Sequence, residues 1–337
     1  MQTAIKRAAT LMVTSALAVS VLSGITPATA ATTSTCVATE LRLPAGTPTD
    51  VFASFGASDP TARYQVGSIQ NSPFNTPLFW TDDEPQVLRQ SSDAETSLID
   101  VNSHGTVLGT TGPYGDSQAW LYSNGTFRNL PQPKGLSSVI VRAMNERGDV
   151  VGYGQDTAAH RSVVVVWPGD GGTPIRLRAR DSTLASDIND NGVVIGELST
   201  EAGSHGIVWT RWDRNGTVVG DVGVGLTHIS GNWVVGIESN SDGSVTGVRW
   251  HLGDLQLKAF PYVLDSVNGS GDVAYLTDEG TTAVERPDGT SYLIDAAGYN
   301  TAYHLFERGS KYDAAGDRDY GWARPVLWSG CSHQSRP

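Results

Sequence analysis

The sequence predicts an all-β protein, a seven-bladed β-propeller of four-stranded blades, closed by an N-terminal strand and a terminal disulfide. Three observations predict it. A short β-branched strand ending near glycine recurs at intervals of about 42 residues, the period of propeller blades and similar arrays. Each copy is followed by an apolar run that ends in an aromatic residue in all but one case. A strand-like segment with no landmark of its own opens the array, and the array stops one strand short of a full unit.

The first landmark runs through Tyr64-Gln65-Val66-Gly67, Thr106-Val107-Leu108-Gly109, Asp149-Val150-Val151-Gly152, Val193-Val194-Ile195-Gly196, Trp233-Val234-Val235-Gly236, Asp272-Val273-Ala274-Tyr275 and Asp313-Ala314-Ala315-Gly316. The sixth copy loses the glycine. The second landmark is Trp80, Tyr122, Trp167, Trp209, Trp250 and Trp328, with Glu285 in the sixth copy, which marks that unit as degenerate. One aromatic at a fixed strand position reads as inter-blade core rather than as a row of ligand platforms. Turn signals follow, as in Asn124-Gly125, Asn215-Gly216 and Asp288-Gly289; these residues tolerate the positive φ of a tight hairpin. In the third copy the four strands are expected at Val139–Asn145, Asp149–Gly154, Arg161–Trp167 and Pro174–Arg178.

Ring closure follows from the ends. Cys36–Pro44 resembles the last strand of a unit, such as Gly125–Pro131, and the seventh copy ends at Trp328-Ser329-Gly330-Cys331 before that strand is due. The N-terminal segment therefore completes the last blade, which removes two open sheet edges. Cys36 and Cys331 then fall on or beside adjacent strands, where a disulfide would be worth roughly 4–5 kcal/mol by loop-closure entropy.

The expected domains are a signal peptide at 1–30, a short linker at 31–35, the propeller at 36–331 and a tail at 332–337. The leader has basic Lys6 and Arg7, an apolar stretch, and Ala28-Thr29-Ala30 as a cleavage site. An uncleaved membrane anchor is the alternative, but the stretch is rich in Ala, Ser and Thr. The expected location is thus extracellular. The formal net charge of −12 repels phosphate and argues against nucleic acid and anionic membrane as partners. No later segment is apolar enough to span a bilayer, so no membrane insertion is expected.

The unit resembles the HAF repeats of exported bacterial proteins. His205-Gly206-Ile207-Val208-Trp209, with Ile188-Asn189-Asp190-Asn191-Gly192 before it, carries the likeness. Other copies keep the tryptophan or the Asn-x-x-Gly but lose the histidine, as in Thr246-Gly247-Val248-Arg249-Trp250. The resemblance covers about Ala38 to Cys331 and implies a non-catalytic extracellular propeller. By analogy of fold, such propellers serve as lectins or adaptor subunits, including in antibacterial toxin particles.

Candidate chemistry is sparse. Asp187, Asn189 and Asn191 match the first half of a calcium loop, but its twelfth position is Leu198 rather than a bidentate Glu. A β-turn explains the same residues, and no cofactor is expected. The histidines are dispersed, there is no nucleophile elbow, and both cysteines are assigned. An extracellular glycosidase or lyase using carboxylates at the channel mouth is the alternative function, since such pairs meet only in three dimensions. A purely structural role is the third reading. The favoured one is recognition of a cell-surface glycan or of other secreted protein subunits. Strand order puts the second-to-third connections and the blade-to-blade links on one face, opposite the Asn-x-x-Gly turns. The second-to-third connections are expected to be the longer ones, at Thr110–Gln118, Gln155–His160, Leu198–Ser204, Glu238–Ser244 and Asp317–Ala323. The candidate ligand-binding residues there are Tyr114, His160, Asp242, Arg318, Tyr320 and Trp322.

Overall fold

The computed structural model describes residues 36–331 except 72, 93, 114, 214, 255–256, 295–298 and 320. The expected leader, linker and tail lie outside the described residues.

Seven four-stranded antiparallel sheets follow one another along the chain. Blade 1 spans 53–87, blade 2 96–129, blade 3 137–176, blade 4 182–219, blade 5 224–260 and blade 6 266–293. Blade 7 takes its inner three strands from 299–329 and its outer strand from Val37–Glu40. That outer strand pairs antiparallel with Ala323–Ser329, Val37 opposite Ser329 and Glu40 opposite Val326. Cys36 and Cys331 are disulfide-bonded, with Cα atoms 4.4 Å apart. The chain is a closed seven-bladed β-propeller.

The landmark tryptophans fill the spaces between blades. Trp80, Trp120, Trp209 and Trp328 have no exposed surface, and Trp167 is nearly as buried. Several reach back to the chain leaving the preceding blade. The indole N–H of Trp80 donates to the Arg42 carbonyl, that of Trp167 to Pro131 and that of Trp209 to Arg178. In blade 2 the expected aromatic, Tyr122, holds the common register opposite Val107 but is only half-buried. Trp120, two residues earlier on the same face, is the enclosed ring. In the degenerate blade 6, Glu285 accepts hydrogen bonds from Tyr262 and Lys258 instead.

The recurrent glycine has a cause that periodicity alone does not supply. The inner strand of six blades carries a β-bulge beside the residue that faces the landmark glycine, as between Ala185 and Asp187 opposite Gly196. In most of these blades the bulge turns a carbonyl toward the glycine. A Cβ at Gly196 would lie 2.0 Å from the Leu184 carbonyl, and one at Gly316 would lie 1.9 Å from that of Thr301. Blade 6 has Tyr275 in that place, and its two-residue inner strand pairs without a bulge. The missing glycine and the regular ladder thus go together.

The second-to-third connections are shorter than expected, because the strands run on. In blade 3 the second strand continues to Asp156, paired with Arg161. In blade 4 the pairing reaches Thr200 and Gly203, which leaves a two-residue turn. The polar residues read as loop are therefore the ends of paired strands, where backbone ladder bonds outweigh composition.

Candidate functional site

The Asn-x-x-Gly turns form one face of the ring, here the turn face. Asn189 accepts from the backbone N–H of Asn191 and Val193, and Gly192 takes a φ of 78°. These bonds make the turn. The side-chain amide of Asn189 also donates across the blade boundary to the Gly231 carbonyl, 2.6 Å away. Asn145 and Asn268 do the same to Asn189 and Phe306. Acidic residues of the next turn add a second link, Glu146 to the Ser103 N–H and Asp190 to that of Glu146. The motif is a turn and a clasp between blades.

Asp187 sits on the inner strand just after the bulge and faces the channel. Its carboxylate accepts from Ile188 N–H at 2.7 Å and from Ile229 N–H of blade 5 at 3.0 Å. Asp100 repeats this between blades 2 and 3, accepting from Val101 and Met144. Asp317 accepts from Phe55 N–H at 2.7 Å and ties blade 7 to blade 1. The channel opens on the turn face in a cavity of about 300 Å³, lined among others by Asp100, Asp187, His228, Tyr303 and His304. His228 Nδ1 is 3.8 Å from the Asp187 carboxylate. Among the described residues no cluster of His, Cys, Asp and Glu could hold a metal ion.

Burial sets the charge state of this wall. It pushes the Asp100 carboxyl up to about 7, partly offset by the Met144 N–H, with Asp187 nearby raising it further. It pushes Asp317 up to about 7 and Asp265 to about 6. It pushes the His304 imidazole down to about 4. Between pH 4 and 7 the folded chain therefore holds carboxyl protons that the unfolded chain has lost, and stability falls as pH rises through 7. His304 works the other way, but only as pH falls below about 6.5. Going from pH 6.5 to 8.5 should cost roughly 1–2 kcal/mol. Denaturant titrations at the two pH values measure it, and equal stabilities would show that these carboxylates are ionised throughout.

The opposite face carries the second-to-third hairpins and the blade-to-blade links, here the loop face. The described members of the expected binding set stand there, on the hairpins of blades 3, 5 and 7. His160 turns the blade 3 hairpin with a φ of 52°. Asp242 caps its own turn in blade 5, accepting from the Ser244 hydroxyl and N–H, which hold its carboxyl below the usual range. Arg318 and Trp322 share one hairpin in blade 7. Tyr114 and Tyr320 lie outside the described residues. Of the set, Trp322 has an aromatic neighbour in the next blade: its ring meets Phe52 edge-on, with centroids 5.1 Å apart.

Trp322 also belongs to a larger feature that the sequence reading missed. Among the described residues, eight exposed large apolar side chains lie on the loop face, all from the link into blade 5 onward through blade 1. Val222, Val263 and Phe52 stand in blade-to-blade links, and Val245, Leu276, Trp322 and Phe74 at second-to-third hairpins. Tyr299, the first residue of the blade 7 inner strand, is 68% exposed and rests over Gly280 of the blade 6 hairpin. Among the described residues, which leave out Tyr114 of the blade 2 hairpin, the links and hairpins of blades 2, 3 and 4 contribute none to this set. The signal was available as single apolar residues in otherwise polar connections, but only when sorted by face.

No family model matches the chain, and no curated protein matches it. Solved propellers do. An oligogalacturonate lyase from Vibrio parahaemolyticus shares 6% identity over 88% of this chain and 98% of its own, with a TM-score of 0.60. The β-propeller domain of the trilobed protease from Pyrococcus furiosus, described as having an open velcro topology, shares 10% over 86% and 98%, with a TM-score of 0.60. An oligogalacturonate lyase in complex with manganese shares 9% over 90% and 95%, with a TM-score of 0.64. At such identities the likeness is one of fold.

Proposed function

We propose that this chain is a secreted, non-catalytic recognition propeller that docks a protein partner on its loop face as a subunit of an extracellular assembly. The observation that carries this reading is the apolar arc from the entry of blade 5 to blade 1. Exposed apolar side chains gathered on adjacent blades of an acidic protein are the usual mark of a protein contact, and aromatic residues are enriched at such contacts. In the channel wall, Asp100 and Asp187 each give both carboxylate oxygens to backbone N–H groups, which assigns them a role in joining neighbouring blades.

The test compares the native chain with a Leu276→Asp, Trp322→Asp double variant as bait in culture medium of the source organism. Both positions are exposed, so the variant should keep its thermal midpoint. The expected result is one stoichiometric protein retained by the native chain and at least tenfold less by the variant. Equal retention, or no retained protein in either case, would overturn the proposal.

A further inference from the structure

A second candidate lies on the turn face, at the connection between the third and outer strands of blade 4. It runs from 210 to 216 and contains Trp212, a tryptophan outside the landmark register. Trp212 is half-buried, and its indole N–H donates to the Gly192 carbonyl at 2.8 Å. A Cβ at Gly192 would lie 3.3 Å from that indole and 2.7 Å from the Arg147 guanidinium of blade 3. The glycine lets an aromatic ring and a guanidinium from adjacent blades approach the same spot. With Thr210, Arg211, Asp213 and Asn191 they line a shallow pocket of about 440 Å³.

The chemistry of this pocket is specific. The indole offers an apolar surface, while the rim offers hydroxyl, amide, carboxylate and two guanidinium groups. Both arginines are held in place: Arg147 by Asp149 at 2.7 Å and Arg211 by Asp213 at 3.3 Å. Each guanidinium carries five N–H donors, more than those contacts use. The lining is mostly apolar, from the indole and Ile175, and its charged rim is open to water, where a phosphate would meet Asp213 and the acidic chain. A pyranose ring matches both parts, with an apolar C–H face for the indole and a hydroxyl edge for the rim. The volume lies within the range of about 300–1,000 Å³ typical of small-ligand sites.

We infer that the Trp212 pocket between blades 3 and 4 binds a pyranose residue of a glycan. This rests on the recognition reading but not on the loop-face partner, because the pocket is on the other face. The test follows the Trp212 indole N–H by NMR during titration with maltotriose, mannotriose, chitotriose and trigalacturonate, which separate neutral, N-acetylated and acidic sugars. At least one sugar should shift that resonance in a saturable way. In calorimetry, Trp212→Ala should weaken its binding at least tenfold and Arg211→Ala several-fold. Arg211 is exposed, so its variant reports on the site even if the tryptophan variant is destabilised. Both variants should retain the loop-face partner as the native chain does, so failure here is distinct from failure there. An indole resonance unmoved by all four sugars, or a binding constant unchanged in both variants, would overturn the inference.

Discussion

Replacing Cys36 and Cys331 together by alanine should lower the free energy of unfolding by about 5 kcal/mol. The two residues are 295 positions apart, so the bond closes almost the whole ring in the unfolded chain as well. Without it, the N-terminal end of the blade 7 outer strand is held by the short ladder from Val37 to Glu40, continued by the Leu41 N–H donating to the Pro325 carbonyl. Short edge ladders fray first, so loss of the bond should appear locally as well as globally. Guanidinium titrations under non-reducing conditions give the global loss. Limited proteolysis gives the local one, as new cleavage in the link at 41–52, which joins this strand to blade 1. A loss below 1 kcal/mol, with that link still protected, would mean that the ladder alone closes the ring.

Trp209→Ala should cost about 3–5 kcal/mol, the range for a large buried aromatic. The ring has no exposed surface and belongs to the cluster joining blades 3 and 4, with Val166, Leu177, Ile188 and Val194. Its removal leaves a cavity at a blade boundary and also strips the Arg178 carbonyl of its indole donor. Trp250→Ala provides the comparison. Trp250 holds the same place in blade 5 but is half-buried, and its N–H donates to Asp254 within its own blade. It should cost clearly less, by at least 1 kcal/mol. Paired denaturant titrations decide the point, and equal losses would show that the landmark ring contributes through its own blade rather than through the boundary.

The difference between these two tryptophans illustrates what sequence can and cannot carry. Blade number, strand order and the closing strand are legible because they repeat, and repetition survives one degenerate copy such as Glu285 in place of tryptophan. The Cys36–Cys331 pair is legible once the missing strand is noticed. The role of Asp187 is not, because its second partner is a backbone N–H in the next blade, 42 positions on. The glycine at 196 was visible as a signal, but its reason is a carbonyl turned by a bulge in another strand. Loop length and residue type point to His160 and Asp242 as candidates, but which blades carry them, the third and the fifth, says nothing about a shared ligand. Trp212 stands outside the landmark register, on the turn face rather than on the second-to-third connections, and its approach to Gly192 and Arg147 exists only once blades 3 and 4 are side by side.

The closing ladder has a mechanical side. Cys36 and Cys331 stand at the same end of an antiparallel pair, Val37 opposite Ser329. A pull on the two ends of the chain would load that pair in the unzipping direction, one hydrogen bond at a time, which is the weak direction of a sheet. The disulfide lies at the fork where the force enters. Tension would then run from one end to the other through the sulfur atoms and bypass the seven blades, so a molecule strung between two attachments keeps both of its faces intact while its covalent clasp carries the load.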